Sequence, residues 1–215
     1  MLSEKAINIM RSDMCIAIDS IYNELNKSDF SSVRGDFCVL INKLVDILDI
    51  GDINIRLNRI KEIRKNLIEY DDSELDVFID AISHAFLTFC MGGLCGLWKN
   101  QENCGWYPKI ILDRIICPNK IDELDEEIII YRGCSKTEFE DKLFGQSWTI
   151  DVETAQNFAY KTYESRLWFD IENRCILQAK IKREYVYYAD GSVNEFEIVV
   201  RNDKLTDVKI FIKNK

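Results

Sequence analysis

Two carboxylates stand two residues apart near the end of the chain, in the stretch SVNEFEIVV. In an extended strand, residues i and i+2 point to the same face, so Glu195 and Glu197 are predicted to project together. Phe196, Ile198 and Val200 then face the other way, as a core requires. The two glutamates are either a solvated strand face, which is the commoner arrangement, or a pair of acids directed at one ligand.

Two further polar positions interrupt apolar strands in the same half of the chain. Arg132 ends the apolar run EIIIY, where its planar fork suits a phosphate or a carboxylate. Gly133 behind it allows a ligand or another backbone to approach closely. In the segment SWT, Ser147 and Thr149 share one face and Trp148 takes the other. Each feature is ordinary alone, so the order of the three along the chain carries the information.

The elements that position these residues follow from the hydrophobic period. Apolar residues recur at helical spacing through residues 1–118, whereas a period of two dominates from Glu127 onward. The sequence therefore predicts an α+β protein, with a helical lobe over residues 1–118 and a strand-rich core over residues 119–215 that pack together. Within the core, Ser135 and Glu138 have the pattern of a capping box, and Asp151 is predicted to cap a second helix.

Composition limits the classes of function. The 215 residues carry a net charge of −9, of which −7 lies in residues 1–125 and −2 in the remainder, so a broad basic surface for nucleic acid is absent. Lys180, Lys182 and Arg183 are the candidate contacts to an RNA backbone, although a solvated strand face is the commoner reading. No apolar run approaches about 18 residues and the start is not a signal peptide, so we expect a cytoplasmic protein without a membrane partner.

Cysteine and histidine offer little for catalysis or metal binding. The eight cysteines form no C-x-x-C pair, and buried reduced thiols are the favoured interpretation over a metal site. The single histidine, His84, lies in the apolar stretch ISHAFLTF, where a packed side chain is favoured over a catalytic one. We therefore expect no metal.

The order of the polar motifs resembles that of the Arg–Ser–Glu class of mono-ADP-ribosyltransferases, the cholera-toxin-like enzymes. The match covers residues 127–200 and is carried by YRG, by SWT followed by AQNFA, and by EFEIVV. The helical first half contains no matching motif. The resemblance implies a split β-sandwich over residues 119–215 that holds NAD, as co-substrate, in a cleft.

The resemblance also implies a role for each matched residue. Arg132 corresponds to the arginine that contacts the phosphates and nicotinamide ribose of NAD, and Ser147 to the serine that orients the catalytic glutamate. Glu197 corresponds to that glutamate, and Glu195 to the residue that binds and deprotonates the acceptor. The expected NAD-binding set comprises Tyr131, Arg132, Gly133, Ser147 and Thr149, with Thr149 in the place of the family's second serine.

Two loops are assigned by the same resemblance. Residues 189–194 are similar to the loop that recognises the acceptor, and residues 160–173 to the loop that covers phosphate and nicotinamide. Tyr163, Trp168 and Phe169 are all candidates to stack on nicotinamide.

The chemistry of the reaction agrees with these residue types. Breaking the bond between nicotinamide and ribose leaves positive charge on the sugar, as in glycoside hydrolysis. A fixed carboxylate stabilises that charge more than it stabilises ground-state NAD. A second carboxylate can take a proton from the incoming nucleophile. Nicotinamide leaves without a strong general acid, so the reaction needs neither histidine nor metal.

Three readings of function remain open. The first is a transferase toxin, phage-borne or from a toxin–antitoxin or phage-defence system, that modifies a protein arginine or a nucleic-acid base, with an antitoxin or inhibitory partner. The second is an NAD glycohydrolase that depletes NAD. The third is a non-enzymatic acidic helical module with a solvated glutamate pair. Convergence of Arg132, Ser147 and Glu197 distinguishes the first two from the third, because three solvated side chains have no reason to meet.

Overall fold

The chain divides into two units, Met1–Ile111 and Leu112–Lys215. The structure is a computed structural model and describes residues 1–27, 34–67, 73–101, 107–190 and 196–211. The sequence placed the boundary later, after residue 118. The difference arises because Leu112 exchanges two hydrogen bonds of 2.8 Å with the Gln146 side chain and Ile116 donates to the carbonyl of Tyr187, which ties this segment to the second unit.

The first unit is helical, as predicted. Its helices are α1 (Glu4–Asn8), continued by a π-helical turn (Ile9–Asp13), α2 (Ile18–Leu25), α3 (Arg34–Leu48), α4 (Ile53–Leu67) and α5 (Ser73–Lys99). On α3, apolar residues three or four apart form one buried stripe that includes Phe37, Ile41 and Leu44. Helix α4 packs on α5, and the rings of Phe37 and Phe78 meet edge to face at 4.9 Å.

Helix α5 contains a stretch that could cross a membrane by length and composition alone. The stretch is Val77–Lys99, with a mean hydropathy of 1.6, and 56% of its apolar window is buried inside the protein, as in a core helix. The sequence predicted no such segment, since Asp80, Ser83 and His84 prevent a continuous apolar run. Gly93, with φ 58° and ψ −152°, breaks the helical geometry within it.

The second unit is built on one antiparallel six-stranded sheet, so the predicted α+β class is confirmed. The strands are β1 (Glu127–Ser135), β2 (Ser147–Thr149), β3 (Arg174–Lys182), β4 (Val186–Ala189), β5 (Glu197–Val200) and β6 (Thr206–Ile210), with helices α6 (Lys136–Glu140) and α7 (Val152–Tyr160) between them. Their order across the sheet is β4-β5-β2-β1-β3-β6. Strands β1, β2 and β5, which carry the predicted site residues, are therefore neighbours.

Alternation along the strands gives the sheet two apolar faces. On one face, Ile130 of β1 and Leu177 of β3 join Trp148 and Ile198 in the larger core. On the other face, Ala155 and Ala159 of α7 pack with Ile176 and the partly buried Tyr131. Helix α7 thus covers the sheet beside the predicted site.

The cap of α7 gives the first test. Asp151 accepts hydrogen bonds from the amide and hydroxyl of Thr154, at 2.8 and 2.7 Å, and these bonds lower the pKa of Asp151. Asp151→Ala should reduce the free energy of unfolding by about 1 kcal/mol at pH 7. Since the pKa in the folded state is below that in the unfolded state, this stabilisation is present above about pH 4 and is lost as the pH falls through the folded pKa.

Urea unfolding at pH 7 and at pH 3 checks this expectation. Asp151→Asn is the matched control, because the amide oxygen can still cap the helix but does not titrate in this range. An Asp151→Ala protein as stable as wild type at pH 7 contradicts the prediction. So does an identical loss of stability on acidification in wild type and Asp151→Asn.

Candidate active site

The predicted site lies where β1 and β2 separate. The two strands share a single register pair, Tyr131 with Thr149, whereas β1 and β3 pair along nine residues. Strand β2 pairs on its other side with β5, with Thr149 opposite Glu197 and Ser147 opposite Val199. Beyond the Tyr131–Thr149 pair, β1 and β2 have no further register pair, so Arg132 and Ser147 lie at a gap in the backbone ladder.

A hydrogen bond joins Ser147 and Glu197 across β2 and β5. The hydroxyl of Ser147 donates to Oε1 of Glu197 at 2.6 Å, and both side chains are partly buried. A hydrogen bond to a carboxylate at this distance is charge-assisted and holds the acceptor in a defined orientation. The structure therefore brings together the serine and the glutamate that the sequence paired.

The side chain of Arg132 binds the backbone carbonyl of the same serine. Gln146 O accepts from Val200 N on the β5 side, so the next carbonyl, that of Ser147, points toward β1. With no ladder partner there, it accepts from Nη1 of Arg132 at 2.6 Å. The guanidinium thus replaces a missing strand–strand hydrogen bond, and Arg132, Ser147 and Glu197 form one connected network.

The anion beside Arg132 belongs to the protein itself. Glu138 of α6 accepts from Nε at 2.6 Å and from Nη2 at 3.3 Å of Arg132, with side-chain exposures of 17% for Glu138 and 24% for Arg132. The sequence did not indicate this partner, because the capping-box pattern predicts a local role for Glu138. Only half of that box forms: Ser135 Oγ accepts from the Glu138 amide at 3.2 Å, while the carboxylate turns to Arg132 and to the Gly145 amide, at 2.9 Å.

Gly133 faces helix α7. A Cβ at this position would lie 2.3 Å from Ala155 O and 2.4 Å from Ala159 N, so the close approach that the sequence predicted is made by helix backbone. Tyr131 also contributes to packing, with its ring 5.3 Å from that of Phe211. The NAD contacts expected of both residues stay predictions.

Thr149 connects the site to α7. Its hydroxyl oxygen accepts from the Asp151 amide at 3.0 Å, and the residue is 5% exposed. This contact sets the turn that leads from β2 into the Asp151 cap. Thr149 therefore holds the edge of the site, directly opposite Glu197 in the register.

Glu195 lies outside the described residues, together with most of the expected acceptor loop. Phe196, next to it, has φ 45°, in the left-handed region that side chains other than glycine rarely adopt. Strand β5 begins only at Glu197, so the extended geometry on which the paired projection of the two glutamates depended ends there. The premise of a continuous strand through Phe196 is wrong.

The aromatic residues of the loop after α7 form a row. Ring centroids lie 5.3 Å apart for Tyr163 and Trp168 and 6.5 Å apart for Trp168 and Phe169, and the Arg174 guanidinium lies 5.9 Å from the Phe169 ring. Trp168 is 63% exposed, whereas Tyr163 and Phe169 are partly buried. Of the three candidates for stacking, Trp168 presents the most ring surface to a ligand.

Two of the three candidate RNA contacts, Lys180 and Arg183, have acidic or carbonyl partners. Lys180 lies 3.2 Å from Asp207 and 3.7 Å from Glu127, and the hydrogen bond to Asp207 raises the pKa of Lys180. Arg183 donates to the carbonyl of Leu124 at 2.8 Å. Lys182 and Arg183 line a cleft of about 430 Å³ with Glu126, Glu127 and Glu184, at the end of the sheet away from Arg132. This mixed-charge surface does not favour an RNA backbone.

The cysteines in the described part of the chain form no disulfide bonds. Within the same residues, no cluster of histidine, cysteine, aspartate or glutamate side chains could bind a metal ion. Cys134 and Cys175 face each other across β1 and β3 with sulfurs 3.9 Å apart. Their hydrogen bond, together with burial, raises the pKa of Cys134, which disfavours its thiolate form. Cys104 lies outside the described residues, and His84 belongs to α5 of the helical unit.

Comparison with protein-family models, with curated proteins and with solved structures found no match to this chain.

The close packing of α7 on β1 gives a second test. Gly133→Ala places a methyl group against helix backbone that cannot rotate away, so we expect a loss of about 1–3 kcal/mol in the free energy of unfolding. Gly35→Ala is the matched control, because Gly35 is exposed on α3 and a Cβ there has nothing within 4 Å. Denaturant unfolding of both variants measures the difference; equal stabilities would contradict the packing of α7 on Gly133.

Proposed function

We propose that this protein is an NAD-dependent mono-ADP-ribosyltransferase, which transfers ADP-ribose from NAD to an intracellular macromolecule and releases nicotinamide. The observation that carries the proposal is the Ser147 hydroxyl, which donates to Glu197 at 2.6 Å while the carbonyl of the same serine accepts from Arg132 at 2.6 Å. Hydrogen bonds to the carbonyl and from the hydroxyl of Ser147 thus link an arginine, a serine and a glutamate from three neighbouring strands.

The shape of the sheet supports the finer fold assignment, a split β-sandwich. Strands β4, β5 and β2 form one part and β1, β3 and β6 the other, and the two parts are joined through one residue pair, Tyr131 with Thr149. The gap that follows this pair lies beside Arg132 and Ser147. We propose this line of separation as the place where NAD binds.

Glu197 is proposed to stabilise the positive charge that develops on the ribose as nicotinamide leaves. Such a carboxylate is effective when its orientation is fixed before the reaction, because no reorganisation is then required in the transition state. Ser147 supplies that fixation through the 2.6 Å hydrogen bond. The register with Thr149 holds the first residue of β5 in place at the same time.

Arg132 retains capacity for an anionic substrate. A guanidinium has five N–H donors, and three of them bind Glu138 and Ser147 among the described residues. Two donors remain for the phosphates of NAD. The Glu138 carboxylate already balances the charge, so we propose that Arg132 contributes hydrogen-bond geometry more than net electrostatic attraction.

The acceptor is proposed to be a protein arginine, with a nucleic-acid base as the second candidate. The ion pairs of Lys180 with Asp207 and Glu127 favour the protein acceptor, because they leave this lysine less available to a phosphate backbone. A toxin role, and an antitoxin or inhibitory partner for the acidic helical lobe, stay predictions from the resemblance. Hydrolysis of NAD by the same residues is the alternative outcome of the test below.

The third test removes the charge of Glu197. Glu197→Gln should lower the rate of nicotinamide release by about 10²–10³-fold, because a preorganised charge is removed from the transition state while NAD still binds. Glu127→Gln is the matched control, since Glu127 lies at the far end of β1. The assay uses NAD labelled on the adenylate phosphate in a bacterial lysate, followed by separate protease and nuclease digestion.

The fate of the label distinguishes the readings. Label released by protease identifies a protein acceptor, and label released by nuclease identifies a nucleic acid. Free ADP-ribose alone indicates the glycohydrolase. Equal activity in wild type and Glu197→Gln, or NAD left intact by wild type, would contradict the proposed function.

A further inference from the structure

We propose that Glu138 is a positioning residue of this site, which fixes Arg132 and, through it, the backbone of Ser147. The consequence for catalysis rests on the proposed function, whereas the positioning itself rests on geometry alone. Glu138 belongs to none of the motifs that carry the resemblance.

The carboxylate of Glu138 makes three hydrogen bonds, each to a different donor. Oε1 accepts from Arg132 Nε at 2.6 Å and from the Gly145 amide at 2.9 Å, and Oε2 accepts from Arg132 Nη2 at 3.3 Å. The two oxygens thus receive the guanidinium in the bidentate arrangement that gives the strongest geometric constraint of any ion pair. At 17% side-chain exposure the pair is only weakly screened by solvent.

The position of Glu138 in α6 explains why its carboxylate is available. Ser135, the N-cap, is still the last residue of β1 and pairs with Arg174 of β3. Because α6 begins directly where β1 ends, its first turn brings the third helical residue back next to β1. Glu138 therefore lies above Arg132, six positions earlier in the chain, and its carboxylate bonds to the guanidinium in place of the capping-box contact.

Gly145 completes the arrangement from the other side. A Cβ at residue 145 would lie 2.3 Å from Arg132 Nη2 and 2.6 Å from its Cζ, so glycine allows the guanidinium to lie against the backbone. The Gly145 carbonyl accepts from the indole of Trp148 at 2.9 Å. The loop before β2 is thus bonded both to the Glu138 carboxylate and to the Trp148 side chain of β2.

A chain of hydrogen bonds connects α6 to Glu197. Glu138 holds Arg132, Arg132 holds the Ser147 carbonyl, and the Ser147 hydroxyl holds the Glu197 carboxylate. Removing the charge of Glu138 leaves a partly buried guanidinium with one anionic contact fewer, so the side chain gains freedom to leave Ser147. Since β2 has only one register pair with β1, Ser147 then loses its main tie to that strand.

This role predicts a specific kinetic signature. A positioning defect lowers kcat of NAD cleavage by up to about 100-fold with little change in KM, because the orientation of Glu197 counts mainly in the transition state. If Glu138 only competed with NAD phosphates for Arg132, Glu138→Gln would instead lower KM and leave kcat unchanged.

The test compares Glu138→Gln with Glu140→Gln, a matched change on the exposed side of the same helix. Gly145→Ala is the second variant, since it displaces the guanidinium without altering any charge. Nicotinamide release gives kcat and KM, and two-dimensional NMR of the ¹⁵N-labelled protein follows the Arg132 Nε–H and the amides of Ser147 and Glu197. Urea unfolding confirms that each variant is folded.

We expect Glu138→Gln and Gly145→Ala to lower kcat, and to shift the Arg132 Nε–H and Ser147 signals, while Glu140→Gln changes neither. Unchanged Ser147 and Glu197 signals in both variants would overturn the positioning role. Lower KM at unchanged kcat would overturn it in favour of competition for NAD. A wild type without NAD turnover refutes the proposed function separately, and the NMR comparison still decides the positioning.

Discussion

The site depends on the carbonyl oxygen of Ser147, which lacks a backbone partner in the sheet. Strands β1 and β2 separate after one register pair, and a buried acceptor without a partner costs free energy comparable to a lost hydrogen bond. The Arg132 guanidinium satisfies that acceptor. A side chain can hold the gap between the strands open while bonding across it, which a backbone ladder cannot do. The end of the backbone ladder between β1 and β2 is therefore stable because of Arg132.

Placing a guanidinium in this gap creates a second requirement. A partly buried positive charge needs an anion, and the chain provides one through the short helix that follows β1 directly. The Arg132–Glu138 pair is net neutral, so it can lie between strands at a lower desolvation cost than a single charge. Position 145 then requires glycine, because the Cβ of any other residue would clash with the guanidinium. One missing backbone partner thus accounts for the types of three residues around it.

The sequence predicted the helical first half and the strand-rich second half, because these depend on the local hydrophobic period. The motif order grouped Arg132, Ser147 and Glu197, and hydrogen bonds through Ser147 connect the three. The sequence did not predict Glu138, since the capping-box pattern was fully explained by a local contact. The unit boundary also differed, because the Leu112–Gln146 hydrogen bonds join residues 34 positions apart, which no local pattern encodes. Contacts that depend on where two strands separate are decided by tertiary structure, so spacing alone does not identify them.

The strand that begins after Phe196 fixes the proposed catalytic glutamate, Glu197. Phe196 has φ 45° directly before β5, so the extended strand begins at Glu197. Glu197 is held by the sheet through Ser147 and Thr149. In the proposed enzyme, the group that cleaves NAD is thus fixed by the core of the second unit before any substrate binds.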